Sequence, residues 1–265
     1  MFAITIPYID PVLTDLGPIA IRWYSLAYIF GIFLGAMHFK YLAKKTDFDV
    51  SRDFIDDLIT ASIISIVLGG RLGFVLIYDS AYYFAHPIEI FKTWNGGMSF
   101  HGGFIGFCIA AIMVCKIHKI PIFSLFDLAA CCAPIGIFLG RIANFINDEL
   151  GGRLTDVSWA VITPIGDHLP RHASQIYEAL TEGLLLFVIL NILLFKYNMY
   201  KRRGMLSGLF CVLYSVFRFL TEIYRQPDEQ LGFVLYDMTM GQVLSLIMFM
   251  FGCVLMYFAM LSKKR

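Results

Sequence analysis

Residues 122–153 read IFSLFDLAACCAPIGIFLGRIANFINDELGGR. The run over 122–143 is apolar almost throughout, and a bilayer core about 30 Å thick needs about 20 such residues in helical form. The run therefore predicts a membrane-spanning helix. Its end is unusual: GRIANFINDELGGR (140–153) sets two arginines, two asparagines, an aspartate and a glutamate within fourteen positions. Charge in or beside a span is costly unless it has a partner or lines a polar cavity, so this end of the helix needs an occupation.

The remaining sequence agrees. It is 58% hydrophobic and 15% charged, whereas soluble domains carry about a quarter charged residues. Six further segments have the length and apolar character of spans, near 18–39, 54–78, 101–117, 173–195, 205–225 and 239–261. The expected fold is an all-α polytopic membrane protein with seven transmembrane helices in a single domain over 1–265. No linker, low-complexity block or repeat period divides it. Segments 1–17 and 79–100 read as interfacial, the second because Pro87 and Gly96-Gly97 break it and its aromatic residues suit the headgroup zone. Residues 146–172 read as a small external head. The first seventeen residues contain no Lys or Arg, so no cleavable leader is expected. Six cysteines lie inside apolar segments without the spacing of a disulfide framework or zinc site; they read as packing residues, and no metal is expected.

The net charge of +1 conceals an asymmetry. Lys40, Lys44, Lys45, Arg52, Lys116, Lys119, Lys196, Lys201, Arg202, Arg203, Lys263, Lys264 and Arg265 fall on one side of the spans. Arg22, Arg71, Lys92, Arg141, Arg153, Arg171, Arg218 and Arg225 fall on the other. The positive-inside rule makes the larger group cytoplasmic, giving a periplasmic N-terminus and a cytoplasmic C-terminus. The inner set is mostly lysine and the outer set mostly arginine. Lysine is a hydrated point charge, while arginine is a planar fork matched to phosphate and carboxylate, so the outer set reads as recognition.

Three constellations carry chemistry. Arg141 and Asn144 are three apart and share a helix face; Asp148 follows on it if the helix runs on to Gly151-Gly152. The plain alternative is a helix terminus in which Arg141 pairs with Glu149. In YSVFRFLTEIYRQPDEQ, the residues Tyr214, Arg218, Glu222 and Arg225 stand at i, i+4, i+8 and i+11, one stripe of an α-helix. Such a stripe is expected to face a cavity or another helix; alternatively Arg218 and Glu222 form only an intrahelical pair. In NGGMSFHGGFIG (95–106), glycines flank His101, which permits close approach to a ligand or marks small-residue helix packing. Histidine titrates near neutrality, so His101 is the candidate proton acceptor. At the outer span ends stand Tyr24, otherwise an interface anchor, and Arg71, otherwise snorkelling to the headgroups.

Taken in chain order, IRWYSL (21–26), GGRLG (69–73), GGMSFHGG (96–103), GRIANFINDELGGR (140–153), RHASQIYE (171–178) and FRFLTEIYRQPDEQ (217–230) resemble the sequence blocks of the prolipoprotein diacylglyceryl transferases. The blocks span nearly the whole chain. The resemblance implies transfer of an sn-1,2-diacylglyceryl group from phosphatidylglycerol to the lipobox cysteine thiol of a preprolipoprotein. A thioether forms and sn-glycerol 1-phosphate leaves, the first step of bacterial lipoprotein maturation. The implied setting is the bacterial inner membrane, with the site toward the periplasmic leaflet. The implied partners are phosphatidylglycerol, precursor signal peptides and membrane lipids, with no nucleic acid, metal or organic cofactor. The resemblance also maps functional residues onto Tyr24, His101, Arg141, Asn144, Glu149, Gly152, Tyr214, Arg218, Glu222 and Arg225. Asp148, Gly151 and Ala173 depart from the usual residues of these blocks.

The implied chemistry sorts those residues. Arg141 and Arg218 clamp the phosphate, whose charge grows as its ester bond breaks, and Asn144 and Tyr24 orient the headgroup. Glu149 and Glu222 fix the arginine forks, and Arg225, Tyr214 and Gly152 complete the lipid site. His101 is the base for the incoming thiol. The alternative is a phospholipid or anion transporter, which calls for polar groups reaching both leaflets, whereas these gather on one side.

Overall fold

The structure is a computed structural model that describes residues 3–15, 17, 20–46, 48, 50–93, 96–164, 167–227 and 232–262. Lys263, Lys264 and Arg265 of the basic tally, and Asp228, Glu229 and Gln230 of the last sequence block, lie outside the described residues.

The elements run β1 (Ile4–Thr5), β2 (Val12–Asp15), β3 (Ala20–Arg22), α1 (Trp23–Lys45), α2 (Arg52–Ile77), α3 (Ser80–Ala85), α4 (Phe100–Ile117), α5 (Ile122–Ile146), β4 (Val161–Ile162), α6 (Ser174–Glu178), α7 (Leu186–Tyr197), α8 (Met205–Thr221), β5 (Phe233–Leu235), β6 (Met238–Thr239) and α9 (Met240–Leu261). A π-helical stretch, Ala179–Leu185, joins α6 to α7, making Ser174–Tyr197 one continuous rod. Among the described residues six helices are long and apolar enough to cross a membrane: α1, α2, α4, α5, the Ser174–Tyr197 rod and α9. The seventh expected span is the shorter apolar α8, seventeen residues long. It stops at Thr221 because the following amides switch partners. Those of Ile223, Tyr224 and Arg225 donate to carbonyls three residues back, at 3.3, 3.0 and 3.3 Å, the tighter winding that commonly closes helices.

The chain divides into two compact units, Ala43–Leu125 and the combination of Met1–Leu42 with Phe126–Arg265. In the smaller unit α2 and α4 pack antiparallel through glycine. A Cβ on Gly69 would meet the Gly102 carbonyl oxygen at 2.4 Å, and one on Gly106 the Ser65 carbonyl oxygen at 2.2 Å. Backbones this close admit no side chain between them. The glycines after His101 are therefore occupied in helix packing, the second of the two readings the sequence allowed. The other end of the pair is fastened by His118 Nε2 to Asp57 Oδ2 at 2.8 Å.

Arg71, on α2, neither snorkels nor waits for a ligand. It is 4% exposed, and its fork donates to the carbonyls of Ile90 (2.8 Å), Gly96 (2.6 Å), Gly97 (3.1 Å), Glu89 (2.6 Å) and Lys92 (3.3 Å). The Tyr83 ring lies 5.0 Å from the guanidinium carbon. Arg71 thus gathers the segment between α3 and α4, in which Gly96 and Gly97 take left-handed φ of 84° and 81°. A five-donor fork can hold so many carbonyls where a lysine cannot.

In the larger unit α8 and α9 are antiparallel and close. A Cβ on Gly252 would meet the Gly208 carbonyl oxygen at 2.8 Å. The Thr239 hydroxyl accepts from the Gln242 amide while the Gln242 side chain accepts from the Thr239 amide, starting α9 with a capping box. Asp127 of α5, 1% exposed, accepts from the Gly204 amide (2.7 Å), the Ser207 amide (2.8 Å) and the Ser207 hydroxyl (2.7 Å), capping α8 from a neighbouring helix. His38 of α1 bonds Asn191 of α7 at 2.8 Å. The short strands add small clamps: β1 pairs parallel with β4, and β2–β3 and β5–β6 are antiparallel.

Candidate active site

The polar end of α5 does not run on to Gly151-Gly152. The Glu149 amide donates to the Asn144 carbonyl (2.9 Å) and the Asp148 amide to the Phe145 carbonyl (3.2 Å), with Asp148 in a left-handed conformation at φ 55°. This is the Schellman closure, which places a left-handed residue just beyond the helix. Asp148 therefore leaves the face that carries Arg141. Its presence is a conformational matter, since aspartate tolerates this backbone better than most side chains.

Past that closure the chain is tied to the elements flanking it. Gln175 Nε2 donates to the Glu149 carbonyl (2.7 Å) and the Ser174 hydroxyl to the Leu150 carbonyl (3.1 Å). The Arg153 amide donates to the Tyr224 carbonyl (2.8 Å), and the Gln226 amide to the Gly151 carbonyl (3.2 Å). Gly152 forms a bridge with Arg225, and a Cβ there would lie 2.2 Å from the His172 carbonyl oxygen. The structure gives Gly152 a packing part, since only glycine fits where these segments cross.

These ties bring α5, the Ser174–Tyr197 rod and α8 together around six buried or half-buried charges. Arg141 Nε lies 3.0 Å from Glu178 Oε2, and its Nη2 3.5 Å from Glu182 Oε2. Arg218 Nη1 lies 2.5 Å from Glu178 Oε1, and its Nη2 2.6 Å from Glu222 Oε2. Arg225 Nη1 approaches Glu178 Oε1 at 3.7 Å, and the Thr239 hydroxyl donates to Glu222 Oε1 at 3.0 Å. The two arginines expected to act together thus share two carboxylates, Glu178 closely and Glu182 at longer range. Tyr214 lies within electrostatic range of Arg141, Arg218, Glu178 and Glu182, its ring stacked on Phe210. Arg225 reaches the cluster although α8 has already ended, so the stripe expected from the sequence is continuous in space but not in helix.

Two backbone features set this geometry. Gly183 lets the π-helical stretch press on α5, for a Cβ there would stand 2.7 Å from Phe138 Cβ and 2.8 Å from Phe138 Cα. Glu178 ends the α-helical turn before that stretch and Glu182 lies within it, and a four-residue spacing, close to one helical turn, sets both on one side of the rod. Likewise Gly241 of α9 leaves room for Glu222, whose carboxylate a Cβ would meet at 2.7 Å.

The expected pairing of Glu149 with the arginine fork is not what the structure holds. Glu149 accepts from Asn144 Nδ2 (3.2 Å) and Asn147 Nδ2 (3.4 Å), and Arg141 is held by Glu178 and Glu182. Each group is taken by another partner: Glu149 by the two asparagine amides, and Arg141 by acids of the neighbouring rod. Glu222 does pair with Arg218 as expected. Glu178 and Glu182 were not assigned from the sequence, although two acids four apart inside an apolar span are themselves a signal of buried partnership.

Tyr24 contacts Tyr28, hydroxyl to hydroxyl at 3.3 Å, and Tyr28 in turn lies within electrostatic range of Arg141. Asn144 is buried. His101 belongs to the smaller unit, in the first turn of α4, with an exposed ring set edge-on to Phe100 at 5.8 Å.

The cluster has a polarity of its own. Its arginine side chains keep some exposure, 18% for Arg141 and 13% for Arg218, whereas Glu178 and Glu182 keep 1% and 0%. The carboxylates are sealed off, and the accessible edge of the cluster is made by its arginine side chains. Such an edge suits an arriving anion, because charge-assisted bonds from arginine to phosphate are strong and directional.

The family model of prolipoprotein diacylglyceryl transferase matches residues 11–258. A Rickettsia akari protein named phosphatidylglycerol–prolipoprotein diacylglyceryl transferase is 50% identical over 248 residues, 94% of this chain and 96% of its own. The proteins of that name from Rickettsia felis and Rickettsia typhi are 49% and 48% identical over similar lengths. The chain belongs to the prolipoprotein diacylglyceryl transferase family and is a transferase.

Proposed function

We propose that the chain transfers the sn-1,2-diacylglyceryl group of phosphatidylglycerol to the lipobox cysteine thiol of a preprolipoprotein, releasing sn-glycerol 1-phosphate, at the outer leaflet of a bacterial inner membrane. The observation that carries this reading is the convergence of Arg141 and Arg218, from two different helices, on the buried carboxylates Glu178 and Glu182, with the arginine side chains alone keeping exposure. The names of the relatives support the substrates. The thiol sulfur attacks the glycerol carbon as the carbon–oxygen bond to phosphate breaks, and the bonding pair passes to the phosphate oxygen. The phosphate goes from one negative charge toward two, so donors preorganised on it stabilise the transition state more than the ground state. Glu178, Glu182 and Glu222 hold those donors in place. Asn144, Tyr24, Tyr214 and Arg225 orient the headgroup. His101 accepts the thiol proton, which raises the thiolate fraction above the few per cent present at neutrality.

The test is turnover of labelled phosphatidylglycerol onto a lipobox peptide in defined micelles. Arg141→Ala and Arg218→Ala are each expected to lower kcat by about 10²- to 10³-fold, the usual cost of one preorganised donor on developing charge. His101→Gln is expected to lower it by about 10²-fold or more. Retained turnover in the arginine variants refutes the clamp, and retained turnover in His101→Gln removes only the base.

A further inference from the structure

The cluster balances three guanidiniums, Arg141, Arg218 and Arg225, with three carboxylates, Glu178, Glu182 and Glu222, before any ligand arrives. The carboxylates are held unequally. Glu178 is approached by all three arginines, at 3.0, 2.5 and 3.7 Å. Glu222 has Arg218 at 2.6 Å and the Thr239 hydroxyl at 3.0 Å. Glu182, fully buried, reaches Arg141 and Arg218 only at 3.5 and 3.7 Å, and its Oε1 accepts the Thr221 hydroxyl at 3.1 Å. Its Oε2, like that of Glu178 and Glu222, accepts no hydrogen bond among the described residues, but those two lie 3.0 and 2.6 Å from an arginine nitrogen whereas Glu182 Oε2 has Arg141 no nearer than 3.5 Å. The other titratable groups facing it are Glu178 on its own rod and Tyr214 on α8.

A phosphodiester headgroup brings one negative charge. When Arg141 and Arg218 turn part of their donors to it, a neutral cluster becomes net negative, and a buried charge without full compensation is expensive. The relief that costs least is a proton on the carboxylate with the longest ion pairs and an open oxygen. We propose that Glu182 takes up a proton from solution when an anionic lipid headgroup engages Arg141 and Arg218, and returns it when the headgroup departs. Oε2 holds the proton while Thr221 continues to donate to Oε1. This rests on the headgroup reading above. It makes binding of an anionic lipid proton-linked, so affinity weakens by up to about tenfold per pH unit over the range in which Glu182 is ionised in the empty site and protonated in the complex. A zwitterionic headgroup adds no net charge and calls for no proton.

The experiment uses the full chain in dodecyl maltoside micelles, with dioleoyl phosphatidylglycerol as ligand and dioleoyl phosphatidylcholine as control. Affinity is measured across a pH series, and infrared difference spectra are recorded on lipid addition. The expected result is a protonated-carboxyl band that appears with phosphatidylglycerol, is absent with phosphatidylcholine and is lost in Glu182→Gln, whose affinity becomes pH-independent. Thr221→Val removes a donor to the ionised carboxylate and is expected to move the transition to higher pH without abolishing it; an unmoved transition overturns the assignment even where Glu182→Gln fails to accumulate. Phosphatidylglycerol binding without the band, or a band that survives Glu182→Gln, overturns this inference and leaves the headgroup site standing. No phosphatidylglycerol binding at all overturns both.

Discussion

Gly183→Ala isolates one of the two glycine contacts that set the site's geometry. The added methyl carbon would stand 2.7 Å from Phe138 Cβ and 2.8 Å from Phe138 Cα, about 0.7 Å inside the 3.4 Å at which ordinary contact begins. Two of the three obstructing atoms are backbone, so no rotamer change relieves the clash and the π-helical stretch must move off α5. The Arg141 pairs to Glu178 and Glu182, at 3.0 and 3.5 Å, span the same two elements. Widening by that amount takes the second beyond ion-pair range. Overpacking of this kind costs about 1–3 kcal/mol of stability, while a displacement of about 1 Å at positioning residues costs about 10²-fold in rate. Gly183→Ala is therefore expected to accumulate as a folded protein with a modestly lower unfolding temperature and kcat reduced by about 10²-fold. Gly35→Ala is the matched control, because a Cβ there meets nothing within 4 Å. The assay is the labelled-lipid transfer reaction alongside thermal unfolding in the same micelles. Wild-type turnover in Gly183→Ala would refute the argument that helix approach at this residue sets the arginine geometry.

Other perturbations probe the remaining framework. Arg71→Lys strands several of the carbonyls of Glu89, Ile90, Lys92, Gly96 and Gly97 and is expected to cost about 3 kcal/mol, since charged hydrogen bonds contribute roughly 1.5–3 kcal/mol each; limited proteolysis should then cut between α3 and α4, and an unchanged digestion pattern speaks against the pin. Asp127→Ala uncaps α8, with an expected loss of about 1–2 kcal/mol and an unchanged KM for lipid; a shifted KM at normal stability contradicts a purely structural cap. Burial holds the His172 imidazole below its ordinary value, so the unfolded chain binds that proton first and stability falls as pH drops below about 6.5. The Arg171 fork holds Asp167 below the usual carboxylate range, a contribution present above about pH 4 and lost as pH falls through the folded value. Unfolding temperatures of the wild type, His172→Gln and Asp167→Asn across an acid series check both, the first variant losing the upper step and the second the lower.

Much of this was legible before any coordinates. The apolar runs give most helices within a few residues, because span length and the 3.6-residue period are local properties; the first, read over 18–39, lies at Trp23–Lys45 because Ala20–Arg22 is taken into a strand. Arg141, Arg218, Glu222 and Arg225 stood out because charge in apolar surroundings calls for a reason. What went unread was local as well as distant. The left-handed Asp148 that ends α5 early is a backbone choice that a non-glycine residue conceals. Glu178 and Glu182 were present as two acids in an apolar rod, yet their partners lie on other helices, roughly forty residues away in the chain.

By itself, then, the sequence determined which segments are helical and which residues bring charge into them, since both follow from neighbours along the chain. Only the tertiary structure decided who pairs with whom: Arg141 with Glu178 and Glu182 and not Glu149, Arg71 with a loop backbone and not a ligand, Gly152 with a carbonyl. Those outcomes depend on how closely backbones pass through space, as at Gly183 against Phe138. Ion pairs fall off within a few ångströms, and sequence separation does not encode that distance.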